Sequence, residues 1–220
     1  MKKKLIALFA CVALGAAMVA GCGGNTGAAG KDAAQTHECK VVIEDASLPP
    51  LEDDLKELYR GAYEIYTEIN FGLLEYDKEA TMEKDGFTYY KVTDGRFKTY
   101  DDFRTYLLQY FTESFVDGNI LSPENIMFTQ GDNGDLYTLG GGRGTNIYYA
   151  GHTFEMDKES ETELGFKATA YYTNSNEPYE GDYIYKTPEN PEDYTTQDYL
   201  FVLWKDADAG WRFNTFYLFF

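Results

Sequence analysis

The chain contains few of the residues that build catalytic and metal sites. Of its 220 residues, two are histidine and three are cysteine. A hydrolytic triad needs a base beside a nucleophile, and His152 has no recognisable partner in the sequence. A zinc site needs three or four histidine, cysteine or carboxylate ligands, and no HExxH pattern is present. We therefore expect a protein that is not an enzyme, with no catalytic residue and no bound metal.

Basic residues are also scarce. The chain has 19 lysines and arginines against 37 aspartates and glutamates, which gives a formal net charge of −18. A surface of this charge repels the phosphates of nucleic acids, so nucleic-acid binding is not expected. It attracts a basic protein partner, although acidic charge can also serve solubility alone.

No apolar run reaches the length of a membrane span, but the first residues have the pattern of an export signal. Lys2, Lys3 and Lys4 precede a mostly apolar, uncharged run over residues 5–20. Crossing a bilayer takes roughly 20 apolar residues. A basic start, a shorter apolar run and small residues at the cleavage site are instead typical of a signal peptide.

The end of this run, "VAGC" up to Cys22, resembles the lipobox of bacterial lipoproteins. The resemblance implies cleavage before Cys22 and attachment of a diacylglycerol to its sulfur, a two-chain anchor that holds a protein stably on a membrane. We predict a signal peptide over residues 1–21, a flexible tether over 22–43 and a single domain over 44–220. The mature protein is then expected outside the cytoplasm, anchored to the cell membrane through Cys22, with Cys39 as its remaining thiol.

Residues 140–144, "GGGRG", have the composition of a phosphate-binding loop. A dinucleotide fingerprint requires a final glycine that is missing here, and a P-loop requires a lysine that does not follow. Both motifs also place the loop before a helix, whose free N–H groups bind the phosphate. Since "TNIYY" after the loop is typical of a strand, we expect no cofactor and predict the turn of a β-hairpin.

Two helices are predicted in the first half of the domain. Apolar residues from Leu51 to Ile69 recur every three or four positions, behind Pro49 and Pro50. A second helix is predicted to begin at Thr99, with Asp102 completing a capping box, and to continue to a C-terminal cap at Gly118.

After about residue 125, the apolar period changes to two, which is typical of strands with one buried face. "YLFVLW" and "WRFNTFYLF" read as a closing hairpin, and the last strand is apolar on both faces, which favours a central place in a sheet. Helices followed by strands favour the α+β class. We predict two N-terminal helices packed on one side of a curved antiparallel sheet of about five or six strands.

Three segments together resemble the IseA family of DL-endopeptidase inhibitors of Gram-positive bacteria. They are "YYKVTDGRFKTYDDFRTYLLQYFTESFVDGNIL" (89–121), "GDLYTLGGGRGTNIYY" (134–149) and "DAGWRFNTFYLFF" (208–220). The resemblance implies a secreted protein without enzymatic activity. It also implies binding to NlpC/P60-type peptidoglycan endopeptidases, secreted cell-wall enzymes, with blockage of their catalytic cleft.

An acidic inhibitor would suit a basic-lined cleft, and two acidic segments, residues 155–163 and 176–194, are the candidate contacts. The candidate partner-binding residues are Arg143, Glu155, Asp157, Glu159, Glu161, Glu180 and Asp182. Ordinary solvated hairpin loops are the alternative explanation of both acidic segments.

A different class of function is also compatible with the sequence. The chain has 20 tyrosines, and a curved sheet backed by helices can enclose a cavity. The alternative is a lipid-anchored module whose tyrosine-lined pocket binds a glycan, a peptide or a small apolar ligand.

Overall fold

A computed structural model describes residues 43–220. The predicted signal peptide, the lipidation site at Cys22 and nearly all of the predicted tether lie outside the described residues, so these stay predictions. Within residues 43–220, no helix combines the length and the apolar character needed to cross a membrane.

The described part contains two four-stranded antiparallel sheets and short helical segments. The first sheet has the order β1-β2-β4-β3 and the second has the order β5-β6-β7-β8. The helices are α1 (Asp53–Phe71), α2 (Tyr100–Leu107) and α3 (Glu113–Phe115). The strands are β1 (Tyr76–Lys84), β2 (Phe87–Val92), β3 (Phe128–Gln130), β4 (Leu136–Thr138), β5 (Tyr149–Glu159), β6 (Glu163–Thr173), β7 (Tyr194–Asp206) and β8 (Gly210–Thr215). The prediction of two helices on one sheet of five or six strands is therefore wrong.

Helix α1 forms where the apolar spacing predicted it. Leu55, Tyr59, Ala62 and Ile65 are buried along one face, which is the stripe that a 3.6-residue period presents to a core. Asp53 and Asp54 lie in the first turn, where carboxylates stabilise the positive end of the helix dipole. The helix ends because Gly72 adopts a left-handed conformation with φ of 65°, which costs glycine little.

The second predicted helix begins correctly but ends early. The Thr99 hydroxyl accepts a hydrogen bond from the Asp102 backbone N–H, and the Asp102 carboxylate accepts one from the Thr99 backbone N–H, which confirms the capping box. The α-helix stops at Leu107, and a three-residue α3 and a π-helix (Val116–Ile120) follow instead of a continuous helix to Gly118.

The helix is interrupted because its backbone pairs with a strand. Phe213 N donates to Tyr110 O (2.9 Å), and Thr112 N donates to Phe213 O (2.9 Å). These bonds cover the edge of β8, which is an edge strand and not the central strand that its composition suggested. The strand ends at Thr215, so Phe216 and Phe219 reach the core from the segment after the strand.

The glycine-rich segment does not form the predicted hairpin turn. It connects β4 of the first sheet to β5 of the second, so the strands on its two sides are not partners. Arg143 N donates to Asn70 O (2.8 Å), which places the segment against the end of α1. An added Cβ on Gly142 would lie 2.5 Å from Gly72 N, so glycine permits two backbones to pack together.

Aromatic side chains fill the space between α1 and the second sheet. The ring of Tyr59 lies 5.5–6.2 Å from its aromatic neighbours on α1, on the strands of the second sheet and in the C-terminal segment. Those neighbours are Tyr63, Phe154, Phe166, Phe201, Phe213 and Phe216. The aromatic residues in this space therefore pack on one another.

Candidate functional site

The β5–β6 hairpin carries four of the predicted contact residues. Glu155 lies on β5 opposite Lys167, with their charged groups 3.6 Å apart. Asp157 lies at a break in the β5–β6 register, Glu159 ends β5, and Glu161 lies in the turn. All four are exposed, so the structure brings these acidic residues together along the hairpin.

Beside them, the outer face of the second sheet has an apolar stripe that the sequence interpretation missed. Phe201 and Leu203 of β7 are fully buried, whereas Leu200 and Trp204 are each 46% exposed. Val202 lies between them on the same outer face, because alternate residues of a strand share a face. The sequence "YLFVLW" carried a signal for this stripe, because both faces of the strand are apolar. Since only one face packs against the core, apolar side chains of the other face are exposed.

The end of this sheet is strongly acidic. The β7–β8 turn lies beside the β5–β6 turn, as shown by the bond from Lys205 N to Thr162 O (2.9 Å). Trp204 of β7 lies opposite Glu163 of β6 on one side and opposite Arg212 of β8 on the other. We call this region the acidic hairpin end, defined by Asp157, Glu159, Glu161, Glu163, Asp206 and Asp208 together with Trp204.

Local hydrogen bonds keep one of these acids charged. The backbone N–H groups of Asp208 and Ala209 both donate to the Asp206 carboxylate at 2.9 Å, and they lower the pKa of Asp206 below its ordinary value. Lys158 offsets one charge by pairing with Glu163 at 2.8 Å. Such an exposed pair contributes little, typically below about 1 kcal/mol, so a partner can displace it at small cost.

Glu180 and Asp182 lie at the opposite end of the same sheet. They belong to the loop between β6 and β7, which begins after Thr173 at the end of β6 and ends before Tyr194 at the start of β7. Strand β6 has eleven residues, so its ten residue-to-residue steps of about 3.3 Å separate this loop from the acidic hairpin end by about 33 Å. The two predicted acidic segments therefore do not form one surface patch.

Arg143 is held at the C-terminal end of α1. Its Nη2 donates to Leu218 O (3.2 Å), and its guanidinium carbon lies 5.3 Å from the centre of the Phe71 ring. A cation at this position also complements the negative end of the helix dipole. The structure therefore does not place Arg143 within the acidic hairpin end.

His152 is buried on β5 and is hydrogen-bonded on both sides. Its Nε2 lies 3.2 Å from Ser47 O, and a carbonyl can only accept, so Nε2 carries the proton. Its Nδ1 then accepts from the Tyr149 hydroxyl at 2.6 Å. Burial lowers the pKa of His152 to about 4, and this effect outweighs the opposing hydrogen bond to Ser47. The ring is therefore neutral at pH 7 and links the start of the domain to the sheet.

This burial makes the stability of the domain depend on pH. The folded pKa of about 4 lies below the ordinary value of 6.5, so the stabilisation is complete above pH 6.5 and is lost as the pH falls toward 4. We expect His152 to account for a loss of about 2 kcal/mol between pH 7 and pH 5. Urea unfolding of the wild type and of His152→Gln at both pH values checks this. Carboxylates titrate in both proteins, so a stability difference between them that does not change with pH would contradict the assignment.

Among residues 43–220, no group of three or more histidines, cysteines, aspartates and glutamates is placed to hold a metal ion. No protein-family model matches the chain, and a search of curated proteins found no match. The resemblance to the IseA family accordingly stays a prediction.

Proposed function

We propose that the chain is a cell-envelope lipoprotein that binds NlpC/P60-type peptidoglycan endopeptidases and inhibits them through the acidic hairpin end. The observation that carries the proposal is the exposure of Trp204 on a sheet face next to six carboxylates. The choice of partner comes from the resemblance of three segments to the IseA family. The membrane anchor at Cys22 comes from the lipobox pattern.

The chemistry of this surface suits a protein partner with a basic surface. Tryptophan is enriched among the few residues that dominate binding energy, and Leu200 and Val202 extend its apolar contact. Acidic groups around an apolar centre accelerate association with a basic surface and fix its orientation. The six carboxylates outnumber the basic residues of this region, Lys158, Lys205 and Arg212, so the surface stays acidic.

The environment of the one histidine in the described residues supports a non-catalytic role. His152 is 6% exposed, and both of its ring nitrogens have hydrogen-bond partners within the protein. A general base must reach the proton that it removes from a substrate, directly or through one water. His152 is not open to a substrate in this way.

The proposal is tested by release of dye-labelled peptidoglycan fragments by purified NlpC/P60 endopeptidases, with and without the chain. We expect the wild type to inhibit release and Trp204→Ala to raise the half-inhibitory concentration about 30-fold, which corresponds to about 2 kcal/mol. Tyr183→Ala is the matched control, because Tyr183 is an aromatic residue of similar exposure, 44%, in the β6–β7 loop.

Two outcomes would count against the proposal in different ways. Unchanged hydrolysis by several such enzymes with the wild type in excess would remove the proposed activity. Inhibition by the wild type that Trp204→Ala and Tyr183→Ala reduce equally would keep the activity and remove the acidic hairpin end as its site.

A further inference from the structure

A small open cavity lies between the C-terminal half of α1 and the segment that follows the π-helix. Its volume is about 210 Å³, and apolar side chains of Ile69, Ile120 and Phe128 line part of it. Asn70, Asn119, Asn125 and Arg143 are the amide and charged residues of the lining. The lining therefore mixes polar and apolar residues in similar proportion.

Arg143 brings a positive charge that no described carboxylate neutralises. Arg60, Arg96 and Arg104 each form ion pairs with carboxylates, whereas Arg143 forms none with residues 43–220. Among the described residues, its one side-chain hydrogen bond goes to Leu218 O, whereas a guanidinium has five N–H donors. In a chain of net charge −18, an arginine with donors to spare is a site for an anionic group.

Hydrogen bonds within the protein fix the amides of Asn70 and Asn125, and the Asn70 acceptor is left free in the described part of the chain. Asn70 Nδ2 donates to Tyr66 O (2.8 Å), and its Oδ1 has no hydrogen bond among the described residues. Asn125 Nδ2 donates to Asn119 O (3.1 Å) and Ile120 O (2.9 Å), which holds the wall of the cavity in place. The side chain of Asn119 is exposed and makes no hydrogen bond within residues 43–220.

We propose that this cavity binds the free carboxylate end of a short peptide with a small apolar C-terminal side chain. Arg143 pairs with the carboxylate, Asn70 Oδ1 accepts from the last peptide N–H, and the side chain packs on Ile69, Ile120 and Phe128. The volume restricts the occupant, because sites for drug-sized ligands are about 300–1,000 Å³ and this cavity is smaller. The site shares no residue with the acidic hairpin end, and its test needs no hydrolase.

Binding is measured by calorimetry on the purified chain with N-acetyl-Ala-Ala as the free acid, in its L,L and D,D forms, and as the C-terminal amide. We expect at least one free acid to bind about 10-fold or more tightly than its amide. A hydrogen bond to a charged group is stronger than one to a neutral group, and the amide has no charge to pair with Arg143. Free alanine distinguishes the source of the carboxylate: binding as tight as that of the dipeptide identifies free amino acids, and weaker binding identifies peptide ends.

Three variants make the assignment specific. Arg143→Gln removes the cation, and Asn119→Asp places a negative charge on an exposed side chain that makes no hydrogen bond within residues 43–220. Both are expected to weaken free-acid binding about 10-fold or more and to leave the weak amide binding unchanged. Lys78→Gln on β1 removes one positive charge outside the cavity and is expected to bind like the wild type. Equal affinity for acid and amide, no binding of either free acid at 10 mM, or equal affinities of the three variants would overturn the proposal.

Discussion

Replacing Tyr59 by alanine is expected to lower the free energy of unfolding by about 3–5 kcal/mol, the usual cost of removing a large buried ring. Tyr59 is 1% exposed, and its ring contacts aromatic residues of α1, the second sheet and the C-terminal segment. Removing it leaves a cavity where these three parts meet. Urea unfolding followed by tyrosine and tryptophan fluorescence measures the loss.

Tyr59→Phe is the matched control for this variant. Phenylalanine keeps the ring and removes only the hydroxyl, so we expect this variant to lie within about 1 kcal/mol of the wild type. A small loss in Tyr59→Ala, or an equal loss in both variants, would contradict the description of the ring as the centre of the core.

Replacing Gly142 by valine is expected to cost about 3 kcal/mol or more. An added Cβ would lie 2.5 Å from Gly72 N and Phe71 O, which is closer than side chains approach backbone atoms. Neither backbone can yield easily, because Arg143 N is bonded to Asn70 O and Gly72 ends α1. Overpacking of this kind typically costs 1–3 kcal/mol or more. Thermal unfolding of the variant measures the effect.

The same segment supplies its own controls. An added Cβ on Gly141 or on Gly144 meets nothing within 4 Å, and neither glycine has a positive φ. Gly141→Ala and Gly144→Ala are therefore expected to lie within about 0.5 kcal/mol of the wild type, as surface substitutions usually do. If all glycines of the segment tolerated substitution equally, the close packing of the segment against α1 would be wrong.

Features that depend on neighbouring residues were predictable from the sequence. The stripe from Leu55 to Ile69 specifies α1, because one helical face must be apolar to be buried. Thr99 and Asp102 specify the start of α2, because a capping box needs only two side chains and the backbone between them. Strand β6 is predictable for the same reason, from its period of two, and β7 from its short continuous apolar run.

Features that depend on distant parts of the chain were not predictable. The stripe from Phe103 to Phe115 has a helical period, yet pairing with Phe213, about 100 residues later, interrupts the helix. A period of two identifies a strand but not its partner. The division into two sheets and the edge position of β8 could therefore not be predicted from the sequence. The glycine segment looked like a turn because glycine marks turns and close backbone packing alike.

The candidate site was predictable only in part. Acidic residues of the β5–β6 hairpin are visible in the sequence, but their separation from Glu180 and Asp182 depends on the direction of β6. Trp204 was not singled out, because its exposure depends on which face of β7 packs against α1. The cavity beside Arg143 joins residues 66–70, 119–128 and 143, and no local pattern relates these segments.

The central claim is that the acidic hairpin end is the contact surface. It is tested most directly by comparing two variants that carry the same change of charge at opposite ends of the sheet. One variant carries Asp157→Lys, Glu159→Lys and Glu161→Lys, and its control carries Glu177→Lys, Glu180→Lys and Asp182→Lys. All six residues are exposed, and both variants have the same net charge.

Association rates with an NlpC/P60 endopeptidase that the wild type inhibits are measured at low and physiological salt. We expect the first variant to associate about 10-fold or more slowly at low salt and the control to stay near the wild type. Equal slowing of both variants would show that only net charge matters, and would contradict the claim.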